Sequence, residues 1–201
     1  MDLSSSTILV TGGGSGIGLA LSARFLAEGS RVIACGRREE KLREARVLHP
    51  RLETKVADVA TAAGRVALAE WAASEVPDLN VLVNNAGIQR RMEFAAEKDW
   101  DAVHGEIAVN LEAPVHLSML FLPGLRGRDR AALVNITSGL AFAPLAGVPV
   151  YSATKAAMHS FTLSLRRQLA GTSVEVIEII PPAVDTDLGG PGLHKFGVAL
   201  D

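Results

Sequence analysis

A doubly wound α/β domain on a parallel sheet is the fold class this chain predicts, and three observations predict it. Six short β-rich runs alternate with longer helical patterns along 201 residues. Most of the runs are near-continuously apolar, as strands buried on both faces of a parallel sheet are. A glycine-rich stretch stands between the first run and the first helical pattern, where such sheets meet phosphate.

The strands are expected at Thr7–Thr11, Arg31–Cys35, Glu53–Val56, Val81–Val83, Ala131–Thr137 and Val174–Ile180. Helices are expected at Ile17–Glu28, Glu39–Leu48, Thr61–Glu75, a long Asp99–Leu125 region, and Tyr151–Ala170. Pro114 lies inside the fourth helical region and should kink or divide it, because proline removes a donor and clashes with the preceding turn. Neither a linker nor a repeat interrupts the order, so residues 1–201 read as one domain.

Composition narrows the function. The chain is 48% hydrophobic and 21% charged, as a soluble globular domain is. Its formal charge of −2 and lack of a Lys/Arg run argue against a nucleic-acid surface. The lone Cys35 sits in the apolar run Val32-Ile-Ala-Cys35 and is expected to be a buried, inert thiol. His49, His104, His116, His159 and His194 show no ligand spacing, and no metal site is assigned. The start Met1-Asp2-Leu3-Ser4 lacks a signal-peptide pattern, and no apolar run approaches membrane length, so no membrane partner and a cytoplasmic location are expected.

The first strand runs into Thr11-Gly-Gly-Gly-Ser-Gly-Ile-Gly18. Glycines here let backbone approach a pyrophosphate, and the helix N-terminus offers free N–H groups and a favourable dipole. Gly12, Ser15, Gly16, Ile17 and Gly18 are therefore candidate phosphate contacts in a Rossmann-like arrangement. The second strand ends in Cys35-Gly36-Arg37-Arg38, with no carboxylate before Glu39 to accept from a ribose 2′-hydroxyl. Arg37 offers a forked donor to a 2′-phosphate. Arg38 either adds a second one or opens a solvated helix face with Glu39, Glu40 and Lys41.

Tyr151 and Lys155 stand four residues apart, so on a helix they share a face. An ammonium beside a phenol favours the phenolate and should lower the tyrosine's pKa toward neutrality. Ser138 could hold a substrate oxygen beside that phenol.

These residues make the chain resemble the short-chain dehydrogenase/reductase family over essentially its whole length. The resemblance rests on Thr11-Gly-x-x-x-Gly-x-Gly18, Asn84-Asn-Ala-Gly87, Asn110, Ser138, Tyr151-x-x-x-Lys155 and Pro181…Thr186 in that order. Within the family, Asn84-Asn-Ala-Gly-Ile-Gln-Arg90, Asn110-Leu-Glu-Ala-Pro114, Ser138-Gly-Leu-Ala-Phe142 and Pro181-Pro-Ala-Val-Asp-Thr186 are similar to the DltE-like oxidoreductases. The resemblance implies a catalytic set of Asn110, Ser138, Tyr151 and Lys155. In it Tyr151 is the acid/base, Lys155 lowers its pKa and binds the nicotinamide ribose, and Ser138 orients the substrate oxygen. Asn110 helps hold a water relaying protons to Lys155. It further implies an adenine contact at Asp58 with Val59, a cofactor-lining segment at Asn85, Ala86 and Gly87, and nicotinamide-side contacts at Pro181, Val184 and Thr186. Turn chemistry alone is the other reading of Asn84 and Asn85. Ser15 replaces the basic residue that some NADP-preferring members carry in the glycine loop.

The implied activity is hydride transfer between a nicotinamide cofactor and a carbonyl or alcohol, with NADP(H) preferred and NAD(H) possible. A non-catalytic nucleotide-binding sensor is the alternative, since fold alone does not separate the two. The implied assembly is a homodimer, or a homotetramer in a longer chain, paired through the long helices that carry Asn110 and Tyr151–Lys155. Three departures from the family stand out. Pro181-Pro182 replaces the usual Pro-Gly and should stiffen the backbone over the nicotinamide. Pro114 follows Asn110 by four residues. The chain stops at Asp201, so 182–201 would only begin a substrate lid and the C-terminal edge of the sheet would be missing. Gly139, Leu140, Phe142, Pro144, Leu145 and Val148 should border a mainly apolar substrate pocket, with Phe142 or Leu145 spent on packing. Gln89, Arg90 and Arg91 either meet an anionic group or form a solvated loop.

Overall fold

The computed structural model describes the chain except residues 1–2, Lys98, Asp185, Asp187, 191–196 and Asp201. His194 and part of the expected lid thus lie outside the described residues. Six parallel strands form one sheet in the order β3-β2-β1-β4-β5-β6. They are β1 Thr7–Thr11, β2 Arg31–Gly36, β3 Glu53–Val56, β4 Val81–Asn84, β5 Ala131–Ile136 and β6 Val174–Ile179. The helices are α1 Gly16–Ala27, α2 Glu39–Leu48, α3 Ala62–Glu75, α4 Trp100–Ile107, α5 Ala113–Arg126 and α6 Pro149–Gln168.

Strand periodicity divides the core in two. Side chains of successive residues point to opposite faces. Ile8, Val10, Val32, Ala34, Val81, Val83 and Val134 pack with Leu26 of α1 and Leu42 and Ala45 of α2. Leu9, Ile33, Cys35, Leu82 and Leu133 face the other way, onto Leu68 of α3, Leu117, Phe121 and Leu125 of α5, and Leu165 of α6. Cys35 is fully buried there, and burial pushes its thiol up to about 12, so it is inert. The third strand departs from the apolar pattern: Glu53 and Val56 are exposed, because β3 is the sheet's edge.

Pro114 divides the long helical region. Between α4 and α5 lies a single π-helical stretch, Ala108–Glu112, where the Ala113 N–H reaches back five residues to the Ala108 carbonyl. An α-helix would ask residue 114 to donate to the carbonyl of Asn110, and proline has no N–H to give. The widened turn contains Asn110.

One expectation needs correction. The run Trp100–Arg126 is 27 residues long, with a mean hydropathy of 1.2 over an 18-residue window, which is enough by composition to cross a bilayer. Its apolar character has another source here: Ala113, Leu117, Phe121 and Leu125 are buried against the sheet.

Candidate active site

Strand order reverses between β1 and β4, and in open parallel sheets ligands bind outside the C-terminal strand ends at such a reversal. The glycine loop forms one wall. Gly12 and Gly16 have φ of +67° and +52°, a region that side chains disfavour. A Cβ at Gly12 would also stand 3.0 Å from the Ala86 backbone, and one at Gly18 would stand 2.4 Å from the Asn85 amide. Glycine is required by close approach of the β4 loop, as well as by backbone angle. The first N–H groups of α1 have no partner within the helix.

Asn85 fastens the two walls together. Its Nδ2 donates to the Thr11 carbonyl at 2.8 Å, and its N–H and that of Ala86 donate to Thr11 Oγ1 at 3.0 Å each. Asn84 turns the other way, into the core. Its Nδ2 donates to Asn135 Oδ1 at 2.9 Å, and Asn135 donates to Thr162 Oγ1 at 2.9 Å. The two asparagines therefore do more than form a turn: one locks the loop after β4 to the end of β1 and the other ties β4 through β5 to α6.

At the rim, Arg37 lies 4.0 Å from Asp58, and Arg38 Nη2 donates to Ser15 Oγ at 3.0 Å. Asp58 also caps its own turn through the Ala60 N–H at 3.0 Å, and Val59 is buried beneath it. Both arginines are exposed, and no side chain closes over Gly36. The sequence left Arg38 open between two roles; its bond to Ser15 turns it toward the glycine loop. On the opposite side Thr186 stands within van der Waals distance of a Cβ built on Gly16, and Val184 is bridged to Val198.

Four side chains converge beyond Gly87. Asn110 is buried, accepts from the Ile88 N–H at 2.9 Å and donates to the Ile88 carbonyl at 2.8 Å. Thr154 Oγ1 accepts from the same amide at 3.3 Å. A Cβ on Gly87 would sit 3.5 Å from Asn110 Oδ1 and 3.8 Å from Lys155 Nζ, so these groups share one space. Lys155 Nζ donates to the Ile136 carbonyl at 2.8 Å and lies 5.6 Å from the centre of the Tyr151 ring. Ser138 caps the short turn Gly139–Ala141 through the Leu140 N–H at 3.1 Å, and its hydroxyl influences the Tyr151 phenol electrostatically.

The electrostatics correct the expected sign for the tyrosine. Burial is the largest influence on Tyr151 and raises its pKa; the Ser138 hydroxyl lowers it, and the charge of Glu106 raises it. Lys155 is itself buried and pushed down to about 8, because burial disfavours its charge. Helical spacing brought the lysine and the tyrosine to one face, yet burial is the largest influence on each. Spacing carries no information on burial depth.

The residues after Ser138 are mixed. Phe142 and Leu145 are exposed, and the Phe142 ring stands edge-on to His159 of α6 with centroids 4.5 Å apart. Phe142 thus serves partly as packing. Gln89 is buried whereas Arg90 and Arg91 are exposed, so the solvated-loop reading holds for the arginines alone. Sequence reasoning missed Thr154, which props Asn110, and Glu106, which faces inward one turn before it. A glutamate within an otherwise apolar α4 face was the available signal.

The short chain dehydrogenase family model matches residues 6–194. An uncharacterised oxidoreductase, DltE of Bacillus subtilis, is 54% identical over 98% of this chain and 79% of its own length. The NADP-dependent 3-hydroxy acid dehydrogenase YdfG of Escherichia coli is 38% identical over 88% of this chain and 72% of its own. Among solved structures, a serine dehydrogenase complexed with NADP+ superposes with a TM-score of 0.83 at 35% identity, over 90% of this chain and 74% of that one. Sequence, sheet order and relatives agree: this chain belongs to the short-chain dehydrogenase family.

Proposed function

We propose that the chain is an NADP(H)-dependent oxidoreductase of the carbonyl reductase or alcohol dehydrogenase type. The observation that carries this reading is the convergence of Asn110, Ser138, Tyr151 and Lys155 beyond Gly87, at the mouth of a glycine cradle. The cradle fits a dinucleotide. Its backbone leaves no room for side chains at Gly12 and Gly18, and free helix N–H groups face where a pyrophosphate would lie. Gly12, Ser15, Gly16, Ile17 and Gly18 would hold the phosphates, Arg37 and Arg38 the 2′-phosphate, and Asp58 and Val59 the adenine. Asn85, Ala86, Gly87, Pro181, Val184 and Thr186 would line the nicotinamide half.

When bound, the cofactor supplies the hydride chemistry. The chain's own groups manage the oxygen. Ser138 donates a hydrogen bond to the substrate oxygen, and the Tyr151 O–H gives that oxygen its proton in reduction or takes it back in oxidation. Lys155 stabilises the transient phenolate with its positive charge. Asn110 keeps the Ile88 backbone fixed, so that the segment after Gly87 does not collapse onto the lysine.

Oxidation of NADPH by a panel of ketones and 3-oxo acids tests the reading. The 3-oxo acids are included because one relative is a 3-hydroxy acid dehydrogenase. Turnover is expected with at least one class, with NADH the weaker cofactor. Arg37→Ala should weaken NADPH binding by roughly tenfold to a hundredfold, the effect of losing one charged hydrogen bond, and leave NADH unchanged. Equal wild-type affinities for the two cofactors would end the NADP assignment. Binding of NADPH without any turnover would favour a sensor.

The assembly proposal is a homodimer through α4–α5 and α6. Exposed Ala153, Ala156, Ser160 and Leu163 form one stripe on α6, and Met119 is 67% exposed on α5. Light scattering at micromolar concentration should report twice the chain mass of 21.1 kDa; a strict monomer would remove this interface.

A further inference from the structure

Glu106 is the residue the catalytic set does not account for. It lies on α4, four residues before Asn110, and is wholly buried. Its Oε1 accepts from the Arg90 N–H at 3.3 Å, while Oε2 has no hydrogen-bond partner among the described residues. A buried carboxyl with an idle oxygen is costly and calls for a reason. Packing does not supply one, since an apolar side chain would fill the same space without that cost.

Two features point to the reason. Residues four apart on a helix share a face, and these two address one extended segment: Asn110 takes the N–H and carbonyl of Ile88, and Glu106 takes the N–H of Arg90. The pair clamps the chain between the cofactor-side loop and the substrate mouth at alternate residues. In addition, α4 packs against α6: the Asn110 amide donates to Thr154 Oγ1 at 3.3 Å and that hydroxyl donates to the Tyr151 carbonyl at 2.7 Å, so the helix face shared by Glu106 and Asn110 meets the tyrosine's own turn, and Glu106 acts electrostatically on the phenol.

We propose that Glu106 is a positioning residue for proton transfer at Tyr151: it extends the Asn110 clamp to Arg90 and holds a carboxylate beside the phenol that keeps the proton on it. This rests on the assignment of Tyr151 as acid/base. A carboxylate near a phenol opposes phenolate formation, whereas the Lys155 ammonium favours it. At the pH where the free phenol ionises the buried Lys155 has already shed its proton, so the Glu106 carboxylate is the charge left to oppose loss of the Tyr151 proton. The charged and titratable groups that interact with Glu106 are Arg90 on the clamped segment and Tyr151 from α6. Burial raises the Glu106 pKa and Arg90 partly offsets this.

The chain contains one tyrosine, so the ionisation of Tyr151 can be followed directly by tyrosinate absorbance in the near ultraviolet, without substrate or turnover. The full-length protein is titrated as wild type, E106Q and E106M, with far-ultraviolet circular dichroism confirming the fold. Both substitutions remove the charge; the methionine variant also leaves no buried amide unsatisfied and serves if the glutamine variant folds poorly. The Tyr151 midpoint is expected to fall by on the order of one pH unit in each folded variant. A midpoint coincident with wild type in the folded variants would overturn the proposal. The basic limb of kcat/KM for carbonyl reduction, which requires the protonated phenol, should move down in parallel. If no carbonyl is turned over at all, the titration still decides the role of Glu106 while the catalytic reading fails separately.

Discussion

Tyr151→Phe is expected to lower turnover by at least ~10²–10⁴-fold, the usual contribution of a positioned acid/base, while NADPH binds as in wild type. The reason is that phenylalanine keeps nearly everything except the proton. The ring remains available to the Lys155 ammonium 5.6 Å from its centre, and the Tyr151 carbonyl still accepts from Thr154 Oγ1 at 2.7 Å. Only the hydroxyl and its interaction with Ser138 are lost. Because that site is buried, the missing phenol leaves a small gap that water fills poorly, so solvent is a weak substitute donor. Steady-state turnover together with an NADPH dissociation constant for the purified variant checks this. Turnover near wild type would remove Tyr151 from the reaction, and a matching loss of NADPH affinity would turn the effect into one of binding.

The frame of the site was legible in the sequence because it is made of backbone requirements. A glycine needed for a positive φ at Gly12, or for the approach of Ala86, leaves a mark that spacing reveals. The apolar runs marked the sheet for the same reason, and element ends differ from expectation by a residue or two, as helix and strand ends do. Pro114 was also readable: the missing N–H forecast a broken ladder. That the break becomes a π-turn holding Asn110 was not readable, since it depends on how α4 and α5 both stay packed.

Groups that act through burial escaped the sequence. The carboxylate of Glu106 looks like any helix-surface glutamate until the 88–90 segment is laid over it. Thr154, next to Lys155, reads as a helix filler, yet its hydroxyl sits against the Asn110 amide. The pKa shifts failed to be foreseen for the same physical reason. Charge pairs follow from residue spacing, but desolvation depends on what every other element covers, and at Tyr151 it is the larger influence.

Lys155→Met should abolish useful turnover and yet stabilise the cofactor-free protein. The ammonium is buried with a single carbonyl partner at 2.8 Å, and its pKa falls from the ordinary 10.5 to about 8. That difference corresponds to roughly 3 kcal/mol of disfavour for the charged form in the folded state. The loss of the Ile136 bond costs about 1 kcal/mol, leaving a net gain on the order of 2 kcal/mol at neutral pH. The sign can be checked with pH. In wild type both states hold the proton below about 8, so the folded state carries the full penalty there. Between about 8 and 10.5 the folded lysine has shed its proton and the unfolded one has not, so stability rises with pH across that window. Tyr151 opposes this only above its ordinary value of 10.0, because its folded pKa is raised. Urea unfolding from neutral pH to about 10 should therefore show stability climbing in wild type and a flatter curve for Lys155→Met, with the variant ahead at neutral pH. A variant less stable than wild type at neutral pH would mean that the lysine is a structural support; one that is more stable and inactive would mean that a catalytic charge is kept at the expense of the fold.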